Sequence, residues 1–393
     1  MKIMLVDDEN LALLQMERMV SNAFIEHGAQ HIVQELKSFQ IVRQALEYAK
    51  ISPPDLIFLD IQMPEINGLE AAEYFQQLVP DVEIIFVTAF DDFAVKAFEL
   101  NAMDYMLKPV GAARLYKSIG RVLESYNDKQ PRVEKVKSTA TQKIYCFNHI
   151  RFQVGEGEIE YPKWRTAKAQ ELFAFLLHHR GEFVPKYSII NMFTPELDKK
   201  RAMTQLYTII YQIRKCVKEA NLEIKIDNDS IQEGYCLRLE NTEIDSEQWE
   251  KAITQLLPQQ QDYYSAIEGL LYQYEGDYMG NYDYLWAESE RERLRQLWLN
   301  FAKQLLQHLY ATKDWIRLQK LGDKMNEFSP YEFEHGIYMM EAYDQLGQYD
   351  KLKQFYEKQE QRMMEELDLP LPEEMIQWYE AWLASRKGIQ NKV

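Results

Sequence analysis

The sequence predicts a multidomain chain. Residues 1–125 should form an α/β block, a doubly wound five-stranded parallel sheet. Residues 143–240 should form an α+β block, and residues 243–393 an all-α block. Three observations carry this. Short apolar runs alternate with amphipathic stretches through the first third, the pattern of successive βα units. Short strand-like runs then mix with three helical stretches. Beyond residue 243 nearly every segment is apolar at helical spacing and rich in Tyr and Trp. The 393 residues allow two to four domains, at roughly 100–200 residues per domain.

In the first block, strands are expected near 2–6, 31–36, 55–59, 83–87 and 104–107. Helices are expected near 10–26, 39–50, 68–78, 91–100 and 111–125. Residues 126–142 are polar and aperiodic and read as a linker. In the second block a helix runs from Ala167 through Leu177 and stops at Gly181. Pro185 opens a second helix, and a third runs from Lys199 to about Ala220. Ile224 to Leu239 reads as a hairpin. In the third block a 34-residue period pairs Trp315 with Tyr349, Leu318 with Leu352, Leu321 with Phe355 and Leu305 with Met339. That period suits stacked helical hairpins of the tetratricopeptide type.

Net charge is −17 but unevenly spread. Residues 1–130 hold 11 Lys+Arg against 20 Asp+Glu, and residues 241–393 hold 16 against 28. Residues 141–240 hold 15 against 13, so nucleic-acid contact, if any, belongs to that block. Cys146, Cys216 and Cys236 lack metal-ligand spacing and suit a reducing compartment. No apolar run approaches the roughly 18 residues of a membrane span, and the first residues lack a leader pattern. A cytoplasmic protein without membrane contact is the expectation.

Four of the expected strands end in chemistry. Ile3-Met4-Leu5-Val6 ends in Asp7-Asp8, Leu56-Ile57-Phe58-Leu59 in Asp60, Ile84-Ile85-Phe86-Val87 in Thr88, and Tyr105-Met106-Leu107 in Lys108. Strand C-termini of an open parallel sheet line a common crevice. Carboxylates there suit Mg²⁺, a hard cation that prefers oxygen ligands. Asp60 is the expected nucleophile toward phosphorus. Asp7 and Asp8 are the expected metal ligands together with Asp60, and Gln62 lends a backbone carbonyl. Lys108 and Thr88 would hold phosphoryl oxygens.

These motifs, Leu-Val-Asp7-Asp8-Glu9, Leu-Asp60-Ile-Gln-Met63-Pro64 with Asn67-Gly68, Val-Thr88-Ala89 and Tyr105-Met-Leu-Lys108-Pro109, resemble the receiver domain of two-component response regulators. The resemblance covers residues 1–125 and implies a flavodoxin-like fold. It further implies that a sensor histidine kinase donates the phosphoryl group to Asp60. Thr88, Ala89, Tyr105 and Lys108 would be the switch and phosphoryl-binding positions, and the face of the fourth and fifth helices a dimer surface.

The helix from Lys199 has an apolar face of Ala202, Leu206, Ile209 or Ile210, Ile213 and Val217. The opposite, exposed stripe is expected to carry Lys200, Arg201, Thr204, Gln205, Thr208, Tyr211, Gln212 and Lys215. Such donors suit a major groove. With Trp164-Arg165-Thr166, Leu176-Leu177, Arg180-Gly181, Ile213-Arg214-Lys215 and Gly234-Tyr235-Cys236-Leu237, the segment resembles the winged helix-turn-helix of OmpR-family regulators and SARP-type activators. Family contacts map onto Thr204, Thr208, Gln212 and Arg214. Gln212 and Tyr211 stand where family members often carry arginine, which implies weak intrinsic affinity raised by dimerisation on direct repeats. Tyr274-Glu275-Gly276-Asp277-Tyr278 with Tyr284-Leu285-Trp286-Ala287-Glu288 resembles the bacterial transcriptional activator domain (BTAD) found behind such winged helices. That resemblance implies a surface for protein partners such as RNA polymerase.

The sequence thus reads as a phosphorylation-switched, non-enzymatic DNA-binding transcription regulator, an activator by domain resemblance, that dimerises when phosphorylated. The alternative is a signalling adaptor acting through its helical block. A metal-dependent phosphatase would need a substrate pocket that the sequence does not offer.

Overall fold

A computed structural model describes residues 1–80, 82–89, 104–128, 141–229, 233–330 and 335–390. The helix expected at 91–100, most of the expected linker and the hairpin tip lie outside the described residues. The chain divides into two compact units. One comprises Met1–Gln142 and Phe152–Thr242, the other Lys143–Arg151 and Glu243–Val393.

The first unit opens with β1 (Lys2–Val6), α1 (Asn10–Glu26), β2 (Glu35–Phe39), α2 (Val42–Ile51), β3 (Leu56–Leu59) and α3 (Gly68–Leu78). β4 (Glu83–Thr88), β5 (Asp104–Leu107) and α4 (Ala112–Asp128) follow. All five strands are parallel in the order β2-β1-β3-β4-β5. The period-2 alternation of a strand sorts their side chains into two cores. Ile3, Leu5, Phe58, Ile85 and Val87 meet Leu13, Val20 and Phe24 of α1 and Leu115 and Ile119 of α4. Met4, Val6, Ile57, Leu59 and Phe86 meet Ala45 of α2 and Leu69, Ala72 and Phe75 of α3. Fully burying each of the Val, Leu, Ile, Met and Phe side chains is worth about 1.5–3 kcal/mol.

The second strand lies at Glu35–Phe39 rather than 31–36. Gln30–Ile32 form a 3-10 turn, and pairing with β1 begins at Lys2 opposite Glu35. Phe39 therefore ends a strand, and α2 starts three residues later than expected.

Next in the chain come β6 (Gln142–Tyr145), which passes into the second unit at Lys143, and β7 (Arg151–Val154), which returns to the first at Phe152; the rest of the first unit holds α5 (Ala167–His178), β8 (Val184–Pro185), α6 (Lys186–Phe193), α7 (Lys199–Glu219), β9 (Ile224–Asp229) and β10 (Gly234–Leu239). Thr166 caps α5 by accepting from the Ala169 amide. Gly181, at φ +82°, turns the chain as its amide donates to Leu237. β9 and β10 form the expected antiparallel hairpin, and β8 pairs with β10.

Residues 143–151 were expected with the α+β block but belong to the helical unit. Asp245 accepts from the Cys146 and Phe147 amides, Asn148 donates to the Glu275 carbonyl, and the Ile150 amide donates to the Tyr282 hydroxyl. Polar groups satisfied in this way tie the segment to the second unit.

The second unit contains α8 (Asp245–Thr254), α9 (Tyr263–Gln273), α10 (Glu288–Ala311), α11 (Trp315–Phe328), α12 (Gly336–Gln345), α13 (Tyr349–Arg362) and α14 (Glu373–Gln390). Trp315 and Tyr349 each begin a helix, so the 34-residue spacing relates α11 to α13. Leu318, Leu352, Leu305 and Met339 are all buried. Gly322 lets α11 approach α12, since a Cβ there would lie 2.1 Å from Met339 Sδ. Arg291 is buried and donates to the carbonyls of Tyr278, Met279 and Tyr282. That explains the arginine behind the tyrosine-rich loop. Among the described residues, no helix is long and apolar enough to cross a membrane.

Candidate phosphoacceptor site and nucleic-acid interface

Three strand tips of the parallel sheet bring Asp7, Asp8, Asp60 and Thr88 together, and Lys108 follows the fourth. Asp7 continues β1, its amide donating to Phe39 O at 3.1 Å, and Asp60 continues β3, its amide donating to Val6 O at 2.9 Å. The apolar strands behind them leave only these tips polar. Gly68 closes the loop after Asp60. Its amide donates to Ile61 O at 2.8 Å, and a Cβ on it would stand 1.9 Å from Asp60 O. Only glycine fits. Asn67 caps α3 by accepting from the Leu69 amide.

One carboxylate oxygen from each of Asp7, Asp8 and Asp60 can be chosen so that all three lie within 4.8 Å of one another. Asp7 and Asp60 are buried, and Asp8 is the most open of the three. Lys108 Nζ lies 2.7 Å from Asp7 Oδ2 and 2.9 Å from Asp60 Oδ2, so one ammonium bridges both acids. Burial pushes the Asp7 carboxyl above its ordinary value and outweighs Lys108 and the Glu9 amide, which pull it down. Burial by itself would lower the Lys108 ammonium. Its bonds to Asp60 and Asp7 prevail and raise it. The Gln62 amide donates to Asp60 Oδ1 at 3.3 Å.

Thr88 is fully buried, and its hydroxyl has no hydrogen-bond partner. An orphaned donor at a strand tip beside a carboxylate cluster is suited to an incoming oxygen anion. These groups border a cavity of about 530 Å³ lined by Asp8, Asp60, Gln62, Thr88, Ala89 and Lys108. The oxygen-rich donor set fits a hard divalent cation. Tyr105 is nearly buried and belongs to the core that holds Phe86. All the expected residues of this site therefore converge except Tyr105, which lies in the neighbouring core and not on the cavity wall.

Residues 3–120 match the family described as the response regulator receiver domain. They form a receiver domain. Curated relatives agree. An uncharacterized response regulatory protein of Yersinia pestis is 36% identical over 163 residues, covering 41% of this chain and 64% of the relative. The transcriptional regulatory protein LytR of Staphylococcus aureus is 37% identical over 122 residues, covering 31% and 47%. The chain thus spans less than two thirds of the length of these relatives. Among solved structures, the response regulatory domain of mrkE from Klebsiella pneumoniae is 30% identical with a TM-score of 0.29, covering 33% of this chain and 99% of that one.

The residues expected at the strand tips lie together, whereas three of those expected on an exposed stripe of α7 are buried. Arg201 is exposed and Gln205 and Lys215 are half-buried, while the Lys200 side chain lies outside the described residues. Thr204, Thr208 and Gln212 were expected on an exposed stripe and are instead 4%, 2% and 7% exposed. Thr208 donates to the Thr204 carbonyl, and the Thr166 hydroxyl donates to Gln212. Arg214, expected at a contact position, donates to Ile226 O at 2.7 Å and lies 3.8 Å from Glu73. Helical spacing identified the core face of α7 correctly, but part of its other side is covered by neighbouring residues. Glu73, buried in the middle of α3, went unnoticed. Its one signal is an acid on the apolar run Ala71-Ala72-Glu73-Tyr74-Phe75.

Proposed function

We propose that the chain is a phosphorylation-switched transcription regulator whose input is Asp60. What carries the reading is the convergence of Asp7, Asp8 and Asp60 with Lys108, beside a cavity lined by Asp8, Asp60, Lys108 and Thr88, whose hydroxyl is orphaned. An Asp60 carboxylate oxygen attacks the phosphorus of a phosphohistidine donor on a sensor kinase. A P–O bond forms, the P–N bond breaks, and the imidazole leaves. Asp7 and Asp8, with Asp60 and the Gln62 carbonyl, would hold Mg²⁺, which when bound would neutralise phosphoryl oxygens. Lys108 releases part of its bridge and donates to a phosphoryl oxygen. The Thr88 hydroxyl donates to another. The acyl phosphate brings about two negative charges, compensated in only one arrangement of these groups, and populations shift accordingly.

The output is DNA binding by residues 143–240, read through α7 and the β9–β10 hairpin, as a homodimer on direct repeats. The helical block contacts protein partners, RNA polymerase among them, to activate transcription in the cytoplasm. The chain is a switch and not an enzyme. Acetyl phosphate with Mg²⁺ should add one phosphoryl group by intact mass, and Asp60→Asn should abolish it. A variant that still takes phosphate would overturn the assignment.

One observation favours the adaptor reading instead: Thr204, Thr208 and Gln212 are buried. Mobility shifts across a salt series separate the two, because a DNA binder loses affinity steeply as salt rises. Binding absent or insensitive to salt would favour the adaptor.

A further inference from the structure

We propose that the receiver holds the DNA-binding block shut through α3, with Glu73 seated in the groove between α7 and the β9–β10 hairpin. The inference rests on reading residues 143–240 as the DNA-binding block. The contact lies within the first compact unit.

Three elements of that block converge on one receiver helix. From the hairpin, Tyr235 donates its hydroxyl to Glu73 Oε2 at 2.6 Å, and Asn228 donates its amide to the same oxygen at 3.0 Å. From α7, Arg214 Nη1 approaches Glu73 Oε1 at 3.8 Å. At the start of α6, Lys186 lies 3.7 Å from Glu70 and sits 5.2 Å and 5.4 Å from the ring centres of Tyr207 and Tyr235. Lys218 donates to Pro80 O just beyond α3. With its side-chain amide turned to satisfy its neighbours, the Gln77 oxygen accepts from the Asn228 backbone N–H and from Arg214.

The stripe of α7 that is covered repeats at helical spacing. Met203, Tyr207 and Tyr211 pack against the core that contains Ala72 and Phe75, and Arg214 and Lys218 continue the same face. This stripe adjoins Thr204, Thr208 and Lys215. A duplex entering the groove between helix and hairpin would meet α3 first.

Two properties make the contact a latch and not a permanent core. Its chemistry is that of a nucleic-acid interface turned inward: Lys186, Arg214 and Lys218 are donors suited to phosphate, and α3 offers them Glu70 and Glu73. It is also incompletely satisfied. Glu73 is 1% exposed, yet its Oε1 and Arg214 Nη1 have no hydrogen-bond partner. A buried charge held at 3.8 Å recovers little of its desolvation cost. Beside the apolar packing of Met203, Tyr207 and Tyr211, these polar pairs make the contact easier to separate than a wholly apolar one.

The latch is wired to the phosphoacceptor. Helix α3 begins at Gly68, whose backbone lies against Asp60 O and Ile61 O. Glu73 stands five residues further along the same helix. A shift of the Asp60 loop therefore moves the start of the element that carries the latch.

The test uses the full chain without phosphorylation and a mixed-sequence DNA duplex at fixed low salt. Glu73→Arg sets a cation against Arg214 and Lys186. The receiver should tolerate it, because position 73 becomes solvent-facing once α3 is released. Tyr235→Phe is the milder second variant and removes one hydrogen bond to the carboxylate. Hydrogen exchange should rise in 68–78, 199–229 and 233–239, and DNA affinity should rise about tenfold or more for Glu73→Arg and less for Tyr235→Phe. Acetyl phosphate labelling of Asp60 should persist in both. If exchange rises while affinity stays at the wild-type value, the latch is refuted and DNA binding stands. If exchange does not rise in either variant, the latch is likewise refuted. If neither the opened variants nor phosphorylated wild type binds DNA, the DNA-binding reading fails and takes the latch with it.

Discussion

Replacing Lys108 by Ala should destabilise the receiver and make its stability depend on the charge of Asp60. The ammonium is the shared partner of two carboxylates whose side chains are only 6% and 8% exposed. Without it, two like charges remain at the 4.8 Å scale of the acidic cluster. At an effective dielectric of about 20, their repulsion is worth about 3 kcal/mol. Breaking a buried ion pair from one side typically costs about 3–5 kcal/mol. With the lysine side chain itself 20% exposed, a loss of about 3 kcal/mol is expected without divalent cation. Adding Asp60→Asn should recover much of it, since one charge of the repelling pair is gone. Mg²⁺ should narrow the gap between Lys108→Ala and wild type by supplying the missing positive charge. Hydrogen exchange of the slowest amides in β1, β3 and β4 measures this within the intact chain. The reasoning fails if Lys108→Ala loses less than about 1 kcal/mol, or if Asp60→Asn deepens the loss.

Three further outcomes are expected. Gly68→Ala forces a methyl to 1.9 Å from Asp60 O, so the backbone must move. It should cost about 1–3 kcal/mol and slow acetyl phosphate labelling, which intact mass over time would read. Gly322→Ala drives a methyl into Met339 between α11 and α12. It should cost about 1–3 kcal/mol in the helical unit while leaving exchange in the receiver sheet unchanged. The third concerns pH. Burial raises the Glu73 carboxyl above its ordinary value; Arg214, Tyr235 and Lys186 oppose the rise and Glu70 adds to it. Tyr207, Asn228 and Gln77 face the same cluster. The docked state binds the proton more tightly, so docking is strongest in acid and is lost as pH rises through the raised value. Exchange in α7, corrected for its intrinsic rate, should therefore increase with pH. Protection that stays flat or grows with pH contradicts this.

Much of the receiver was legible because its signals are local. A strand alternates with period two, so Ile3-Met4-Leu5-Val6 sends side chains to both cores, and the polar residue after each run marks a tip. Parallel strands bring those tips to one edge whatever their separation in sequence. Asp7, Asp8, Asp60, Thr88 and Lys108 could therefore be assembled without coordinates. The second strand was misplaced by about four residues because an edge strand lacks the fully buried run that marks β1 and β3.

Apart from the second strand and the start of α2, the sequence by itself determined where the described helices and strands of the receiver lie and which residue types reach the sheet edge, since steric preference and hydrophobic periodicity act over a few residues. Tertiary structure alone decided what covers each face. Periodicity distinguishes the core side of α7 from its opposite side, but it carries no record of the receiver helix packed on Tyr207 and Arg214. Nor does it explain the burial of Glu73, which depends on Tyr235, Asn228 and Arg214, all more than 140 residues away in the chain. Residues 143–151 make the same point: their partners Asp245, Glu275 and Tyr282, one at a helix start and two in the loop beyond Gln273, lie about a hundred residues or more further on. Such contacts form because a buried polar group must find a partner, and the partner can come from anywhere the folded chain brings it.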